Sequence, residues 1–388
     1  MPSEPDRDHV EAATQWRRHL HSIPELGFGE HKTAAFVADR LRGLGLEVHE
    51  GIGGTGVVGV LRRGPGNQAI ALRADMDALK ITENTGLSYA STHPGQMHAC
   101  GHDGHMAMLL GAARHLTEHG RFSGTVYFIF QPNEEHGRGA KAMIADGLLE
   151  RFAFEEIYGL HNMPGMPLGA FATRPGPLMA SEDNFVIRIR GKGGHAARPH
   201  VANDPMVIAA HMILALQTIV SRRVSALDTA VVSVTEVLTD GTRNVLPETV
   251  TLKGDTRSYS AAVQKTIEAE MRKLATGIGS SFGAEVDVDY SHEFAATVNH
   301  DAQSAAALAA AHAAPGIVSV DAEPAPLMGS EDFGLFLNHK PGNFAFLGNG
   351  VAGAHGQPLH NARYDFNDAA IGPGIAYWAQ IVHDKLKA

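Results

Sequence analysis

Cysteine is nearly absent from this chain: Cys100 is the one cysteine in 388 residues. A single thiol cannot close a disulfide within the chain, so a disulfide-stapled fold is excluded. The N-terminal residues are polar and acidic and lack the apolar core of a signal peptide. A thiol that stays reduced and no export signal together predict a cytoplasmic protein. No run approaches the roughly 18 apolar residues of a membrane span, so no membrane contact is expected.

Basic residues are also few in relation to acidic ones. The chain has 32 Lys and Arg against 42 Asp and Glu, which gives a formal net charge of −10. No basic block or alternation of basic and aromatic residues offsets this balance. Nucleic acids and anionic membrane surfaces are therefore disfavoured as partners. The length exceeds the roughly 250–300 residues that one hydrophobic core usually serves, so two domains are expected.

Three apolar runs in the N-terminal half predict buried parallel strands that end in polar residues. The runs are Ala69–Ala74, Thr125–Phe130 and Ile157–Leu160. Asp75, Glu134, Glu135 and His161 follow them, and helical segments separate them. Alternating strands and helices predict an α/β fold with a mainly parallel sheet, whose functional site lies beyond the carboxyl ends of the strands.

A dinucleotide-binding loop is the alternative that Gly51–Gly56 suggests, because the segment matches G-x-G-x-x-G. That motif should open a helix. Here β-branched Val57 and Val58 follow, and Gly64–Gly66 ends the segment soon afterwards. A hairpin of short strands is therefore the preferred interpretation.

The pattern changes after residues 175–177. Residues 184–291 predict the order β-α-β-β-α-β, which is the ferredoxin-like arrangement. We therefore expect an inserted domain at 181–296, within a discontinuous first domain of residues 1–180 and 297–388. Segments 326–333 and 359–361 lack a fold of their own and are expected to return to the first sheet.

Metal ligands are the strongest chemical signal in the chain. Cys100 and His102 are two residues apart in a glycine-flanked loop, so both can turn toward one ion. His105 is expected to support them from the following helix. Glu134 and Glu135 should point to opposite faces of an extended chain, so that one binds metal while the other faces a water. For any one of these residues, a satisfied buried polar network remains the alternative.

Hydrolysis is the chemistry that such a set favours. A divalent metal lowers the pKa of water from 15.7 toward about 7. A neighbouring glutamate can take the proton and return it to a leaving amine. Counting His161 and His360 as well, the candidate ligands outnumber the three of a typical single catalytic zinc, so two ions are expected.

Motifs spread over nearly the whole chain resemble the metal-dependent aminoacylase/carboxypeptidase family, in its branch of hippurate hydrolases, N-acyl-amino-acid amidohydrolases and auxin-conjugate hydrolases. The segments that carry the resemblance are 21–28, 73–79, 97–105, 131–135, 159–162, 191–197, 244–247 and 330–333. The fold implied is a zinc-peptidase-like catalytic domain with an inserted ferredoxin-like dimerisation domain.

The resemblance also implies roles for individual residues. The metal ligands implied are Cys100, as the bridge, with His102, Glu135, His161 and His360. Glu134 is implied as the general base, and Asp77 as the residue that orients a ligand histidine. His195 is implied as the oxyanion stabiliser, often for the partner subunit's site. Asn244 and Arg257 are candidates for the substrate carboxylate, although Arg257 could equally form a surface ion pair.

The expected protein is thus a homodimeric amidohydrolase that uses two divalent ions (Mn, Zn, Co or Ni). Its expected substrate is a small N-acyl-L-amino acid of the hippurate type, which it would cleave to a carboxylic acid and an amino acid. A dipeptidase or carboxypeptidase on the same scaffold is the nearest alternative. A non-catalytic protein that keeps the metal only to shape a pocket is a third.

Overall fold

Residues 5–387 are described by the structure, a computed structural model, and they fall into two units. The first unit holds residues 5–178, 298–325 and 332–387. The second holds Met179–Thr297 and Pro326–Glu331. The sequence places residues 326–331 with the first sheet, and this expectation is wrong: the segment belongs to the second unit, where Leu327 pairs with Met179.

Helices and strands alternate through the first unit and recur in a different order in the second. The helices are α1 (Arg7–Ser22), α2 (His31–Gly43), α3 (His102–His119), α4 (Gly139–Ala145), α5 (Leu148–Arg151), α6 (Pro205–Arg222), α7 (Ala261–Ser281), α8 (Asp301–Ala313), α9 (Phe333–Leu337) and α10 (Ile371–Lys385). The strands are β1 (Glu47–Ile52), β2 (Gly56–Arg63), β3 (Ala69–Asp75), β4 (Gly124–Gln131), β5 (Glu156–Pro164), β6 (Ala170–Ala172), β7 (Gly176–Met179), β8 (Ser181–Arg190), β9 (Gly194–His195), β10 (Ala230–Thr239), β11 (Val245–Leu246), β12 (Thr249–Ser258), β13 (Glu285–Phe294), β14 (Thr297–Asn299), β15 (Ser319–Asp321) and β16 (Gly342–Gly350).

The sheet of the first unit is mixed, with the order β1-β2-β4-β3-β5-β16-β6-β15. Its centre is parallel: β3 pairs with β4 and β5, and β5 pairs with β16. Every residue of β3 is buried, as expected for a strand covered on both faces. Antiparallel β1 and β2 flank this centre. Gly51–Gly56 forms the turn between them, so the hairpin interpretation is confirmed.

Helix α3 is the central helix of this unit. It packs against α1 and α10 and against strand β3. Most of its residues are buried, Met106 and Leu109 among them. Such a helix has little freedom to shift, so the side chains at its two ends are held in fixed places by the core.

The second unit has a four-stranded antiparallel sheet in the order β10-β12-β8-β13. With helices α6 and α7, the chain order is β8-α6-β10-β12-α7-β13, which is the ferredoxin-like arrangement predicted from the sequence. Strand β8 alternates buried and more exposed residues, because only one face of this sheet is covered by the helices. The predicted α/β fold class with a ferredoxin-like insertion is confirmed.

Helix α6 is long and apolar enough to cross a membrane by length and composition alone, although the sequence was read as having no such stretch. One side of it, including Ile208, Met212 and Leu216, belongs to the hydrophobic core of the second unit. Its buried positions recur every three or four residues, so the helix serves as a core helix of this unit.

The helix expected between residues 139 and 150 is broken in two. α4 ends at Ala145 and α5 begins at Leu148, with Gly147 between them at φ +82°. Glycine takes up this left-handed conformation at little cost, so the chain turns where the apolar periodicity alone predicts continuity.

Candidate metal centre

The loop before α3 brings Cys100 and His102 to the first sheet. Gly101, at φ +92°, is the residue before α3, and His102 is the first residue of the helix. This left-handed residue turns the chain sharply between the two side chains. The Cys100 Sγ lies 3.5 Å from Nε2 of His161, which β5 supplies.

His102 has one ring nitrogen fixed by the protein and the other facing the centre. Its Nδ1 donates to the carbonyl oxygen of Asp77 at 2.8 Å and lies 3.4 Å from the Asp77 carboxylate. Its Nε2 lies 3.9 Å from Oε1 of Glu135. A carbonyl oxygen can only accept, so this contact selects the tautomer whose Nε2 carries a lone pair. Asp77 therefore lies where the resemblance implies.

Glu134 and Glu135 follow β4 on a tight turn, so the expectation of extended chain at this place is wrong. The turn begins at Asn133, at φ +45°, and Gly137 N donates to the Glu134 carbonyl at 2.7 Å. The buried carboxylate of Glu30 accepts from Asn133 N at 2.8 Å and holds the start of the turn. Both glutamates can approach His102.

Glu135 and His360 meet on the other side of the centre. The Glu135 Oε2 lies 3.5 Å from Nε2 of His360, and the Glu135 amide donates to Asp77 Oδ2 at 3.1 Å. His360 has a positive φ of 65°, and its amide donates to the Ala99 carbonyl at 2.8 Å, beside Cys100. A residue remote in sequence is thus tied directly to the loop that carries the thiol.

His161 lies within β5, which continues to Pro164, and not at the strand end that the sequence suggested. Its Nδ1 donates to the Asn162 carbonyl at 2.6 Å, which leaves Nε2 for the centre. Burial, followed by the neighbouring charge of His105, holds the pKa of His161 well below its ordinary value. A neutral imidazole is the form that binds a metal.

The structure brings six predicted residues together in overlapping groups whose ligand atoms lie within 4.8 Å of one another. The groups are Cys100 with His102 and His161, Cys100 with Glu135 and His360, and His102 with Glu134 and Glu135. Within the described residues, His102 Nε2 and Glu135 Oε1 are buried without a hydrogen bond. Buried polar atoms of this kind need a partner. The thiol, imidazole and carboxylate donors therefore fit divalent metal ions.

The electrostatics of the centre also favour cations. Burial alone would lower the pKa of His102, but the carboxylates of Asp75 and Asp77 outweigh burial and raise it to about 10. The pKa of Glu135 is raised to about 7, chiefly by burial, against the influence of His102. The carboxylates that favour a proton on His102 would equally stabilise a bound cation.

Asp75 and His105 form a supporting network that the sequence only partly indicated. His105 Nδ1 donates to Asp75 Oδ1 at 2.6 Å, and His105 Nε2 accepts from Asn162 N at 3.0 Å. Arg73 donates to Asp75 Oδ2 at 2.8 Å. Tyr364, whose hydroxyl accepts from Asn162 Nδ2 at 2.6 Å, had no sequence signal at all. The network joins β3, α3 and β5 behind the candidate ligands.

The remaining predicted site residues belong to the second unit. His195 on β9 and Asn244 are neighbours, because β9 pairs with β11 and Ala196 N donates to the Asn244 carbonyl at 3.0 Å. His195 is exposed. Arg257 lies on β12, where its guanidinium contacts Glu182 at 2.7 Å and Asp255 at 2.8 Å. The ion-pair alternative for Arg257 is therefore present in the structure.

Comparison with known proteins agrees with this geometry. The model of peptidase family M20/M25/M40 matches residues 71–384. The chain is 40% identical over 371 residues to a hippurate hydrolase of Campylobacter jejuni, covering 96% of both chains. It is 40% identical over 375 residues to an N-acetyldiaminopimelate deacetylase of Shouchella clausii, covering 95% of this chain and 97% of the relative.

Among solved structures, a dinuclear metal binding peptidase of the M20 family from Bacillus subtilis is similar, with a TM-score of 0.85 and 32% identity over 98% of this chain and 99% of the other. The family match covers well over half of the chain, and the curated relatives match almost end to end. The chain therefore belongs to peptidase family M20/M25/M40 and is a metal-dependent hydrolase of the amidohydrolase type.

Proposed function

We propose that this protein hydrolyses the amide bond of N-acyl-L-amino acids and releases a carboxylic acid and an amino acid. The observation that carries the proposal is the convergence of one thiol, three imidazoles and two carboxylates on one centre in the first unit. The names of the two curated relatives both describe removal of an acyl group from the nitrogen of an amino acid. This agreement favours hippurate-like substrates over longer peptides.

The ligand set we propose follows from the contacts around the centre. It consists of Cys100, His102, Glu135, His161 and His360, with Cys100 shared between two ions. Mn, Zn, Co or Ni would suit these donors. When bound, divalent ions supply Lewis-acid polarisation of the amide carbonyl and lower the pKa of the attacking water.

Glu134 is proposed as the base. It is buried and shares the centre with His102 and Glu135. Its carboxylate would take a proton from the attacking water and deliver it to the departing nitrogen. Asp77 would hold His102 and the Glu135 backbone in place, through the contacts at 2.8 and 3.1 Å described above.

Substrate contacts are proposed for the second unit. His195 would stabilise the oxyanion that forms as the carbonyl is attacked. Of the two candidates for the substrate carboxylate, Asn244 is preferred. Arg257 is a weaker candidate, since its guanidinium already pairs with Glu182 and Asp255, and a substrate would have to compete with both.

A homodimer formed by the second unit is also proposed. Strand β10 is an edge strand, and Val237 and Leu238 on it are exposed. Helix α6 of the same unit exposes Val207 and Leu214. An unpaired strand with apolar side chains is a surface that pairs readily with another chain. A second copy of this chain would cover it.

The test is a substrate panel. The protein reconstituted separately with Mn, Zn, Co and Ni is assayed against N-acetyl and N-benzoyl amino acids and against dipeptides, with the Glu134→Gln variant as the blank. The proposal predicts a higher kcat/KM for the N-acyl compounds than for the dipeptides. A consistent preference for dipeptides would favour the dipeptidase alternative, which the peptidase name of the similar solved structure keeps in view.

A further inference from the structure

Three histidines meet in the first unit at the end of α3 that lies away from the candidate centre. His115 and His119 are four residues apart near the end of α3, and His9 comes from α1. The ring centroids are 5.5 Å apart for His9 and His115, 5.3 Å for His9 and His119, and 5.4 Å for His115 and His119. One ring nitrogen of each lies within 4.8 Å of the other two.

We propose that His9, His115 and His119 form a separate structural site for a divalent transition-metal ion such as Zn²⁺ or Ni²⁺, with Glu118 as a fourth ligand. Imidazole is the donor that these ions favour. Two histidines at positions i and i+4 of a helix present their rings on one side, a spacing that suits metal ligation.

The distances around Glu118 agree with this assignment. Its Oε2 lies 3.0 Å from Nε2 of His9 and 3.9 Å from Nε2 of His119. In a tetrahedral zinc site with bonds of about 2.0–2.1 Å, neighbouring ligand atoms lie about 3.3 Å apart. The observed separations bracket that value, so small side-chain rotations would bring these atoms onto one ion.

The carboxylates also hold the ligands in place. Asp6 Oδ1 lies 2.7 Å from Nδ1 of His9, which leaves the Nε2 of that ring for the metal. Arg114 donates to Oε1 of Glu118 at 2.9 Å, which leaves Oε2 facing the histidines. A carboxylate behind a ligating imidazole is the usual arrangement in metal sites.

The surroundings favour a cation and give it access. The end of α3 carries the partial negative charge of a helix C-terminus, which stabilises cations. A cavity of about 720 Å³, lined in part by His115, Glu118 and His119, lies beside the cluster. His119 is exposed, so an ion can enter from solvent.

The site is independent of the candidate centre. His102 opens α3 and His119 closes it. Seventeen residues at 1.5 Å each separate them by about 25 Å along the helix. An ion at the His119 end would fasten α1 to the end of α3, and it would stabilise the fold without taking part in hydrolysis.

The experiment counts metal ions in the tag-free holoenzyme after equilibration with Zn²⁺ and removal of free ion. The wild-type chain should carry one more ion than His119→Gln. His312→Gln, an exposed histidine on α8, is the matched control and should bind as many ions as the wild type. Glu118→Gln keeps all three imidazoles and should raise the Kd of this ion by at least about tenfold.

Thermal unfolding provides a second measurement. Added Zn²⁺ should raise the Tm of the holoenzyme and of His312→Gln but not that of His119→Gln, while kcat stays the same in all three. Equal ion counts in the wild type and His119→Gln, or equal Zn²⁺-dependent shifts in Tm, would overturn the proposal.

Discussion

At the scale of single residues, the centre is organised by contacts that fix the far side of each ligand. The rings of His102 and His161 each donate Nδ1 to a backbone carbonyl, at 2.8 and 2.6 Å. The backbone amides of Glu135 and His360 donate to Asp77 and Ala99. Ligand atoms are therefore oriented before any ion binds, which lowers the cost of ordering them.

Glu134→Gln tests the proposed base. The change keeps size and hydrogen-bonding capacity but removes the proton acceptor, so kcat should fall by about 10²–10⁴-fold. The metal content should stay at the wild-type value, measured by elemental analysis. Glu150→Gln, the same change at an exposed position, should leave kcat unchanged. Substantial turnover by Glu134→Gln would remove Glu134 from the base role.

Asp77→Asn tests the positioning residue. Its carboxylate accepts from the Glu135 amide and lies 3.4 Å from His102 Nδ1, so its loss should weaken metal binding by about 10–100-fold. The affinity is measured by competition with a chelator. Asp39→Asn, on the exposed side of α2, serves as the control. Equal metal affinity in both variants would contradict the role given to Asp77.

The sequence predicts these residues unequally. Cys100 and His102 stand in one short motif, so residue type and spacing are enough to indicate a shared ion. The geometry of Glu134 and Glu135 could not be predicted, because it depends on the left-handed Asn133 and on its contact with Glu30, which is remote in sequence. His360 depends on a backbone contact with Ala99 that leaves no local signal.

At the scale of elements, α3 is the part of the fold that fixes the centre. The helix is buried along most of its length, and its first residue is His102. Gly101 begins it at φ +92°, and a Cβ at this residue would lie 2.3 Å from Asn162 Oδ1 and 2.5 Å from the Tyr364 hydroxyl. The start of the helix and the supporting network thus fit together only around glycine.

Gly101→Ala should therefore destabilise both fold and centre. Gly95→Ala is a matched control, since Gly95 also has a positive φ, of 75°, but nothing lies within 4 Å of its Cβ position. The control should lose about 1 kcal/mol from backbone strain alone. Gly101→Ala should lose a further 1–3 kcal/mol or so from the overlap, together with metal affinity. Urea unfolding and metal titration measure both, and equal losses would contradict the packing argument.

Elements were more predictable than their ends. Strands such as β3 and β4 are continuous apolar runs, and burial on both faces of a parallel sheet requires that composition. The break at Gly147 and the extension of β5 past His161 are set by tertiary contacts and by one backbone angle. The periodicity of side chains carries no information on either.

At the scale of the whole molecule, a buried ion network joins the two ends of the first unit. Arg17 on α1 contacts Asp103 at 3.5 Å, Asp365 at 3.3 Å and Asp368 at 2.7 Å, across as many as 351 residues of sequence. His21 adds a contact with Asp103 at 2.8 Å. The network holds α1, α3 and the C-terminal segment together beneath the centre.

This network predicts a loss of stability in alkali. Burial lowers the pKa of His21, but the Asp103 carboxylate outweighs burial and raises it from 6.5 to about 9. The folded chain therefore keeps a proton that the unfolded chain has lost. The stabilisation is complete below about pH 6.5 and disappears as the pH rises through about 9, a change of up to about 3 kcal/mol.

Urea unfolding of the metal-saturated protein across this range is the measurement. His21→Asn should remove most of the difference between the two pH limits. His19→Asn, two residues away on the exposed side of α1, should retain it. The same dependence on pH in all three proteins would assign it to other groups.

A homodimer in which His195 serves the partner subunit's site predicts complementation. Neither His195→Ala nor Glu134→Gln alone should be active, but a hybrid dimer of the two retains one intact combination of both residues. Mixing the chains should restore part of the wild-type kcat. Hybrids that form, as shown by native mass spectrometry, and remain inactive would contradict the shared site.

The single thiol described at the centre makes the chain its own reporter. Any alkylating reagent that modifies cysteine can react at one position only, so the mass added to the intact protein reads out the accessibility of Cys100 without mutation or tag. An ion coordinated by that sulfur would slow the labelling. The rate of alkylation, followed across a series of added cations, would rank their occupancy of the catalytic pocket in the unmodified enzyme.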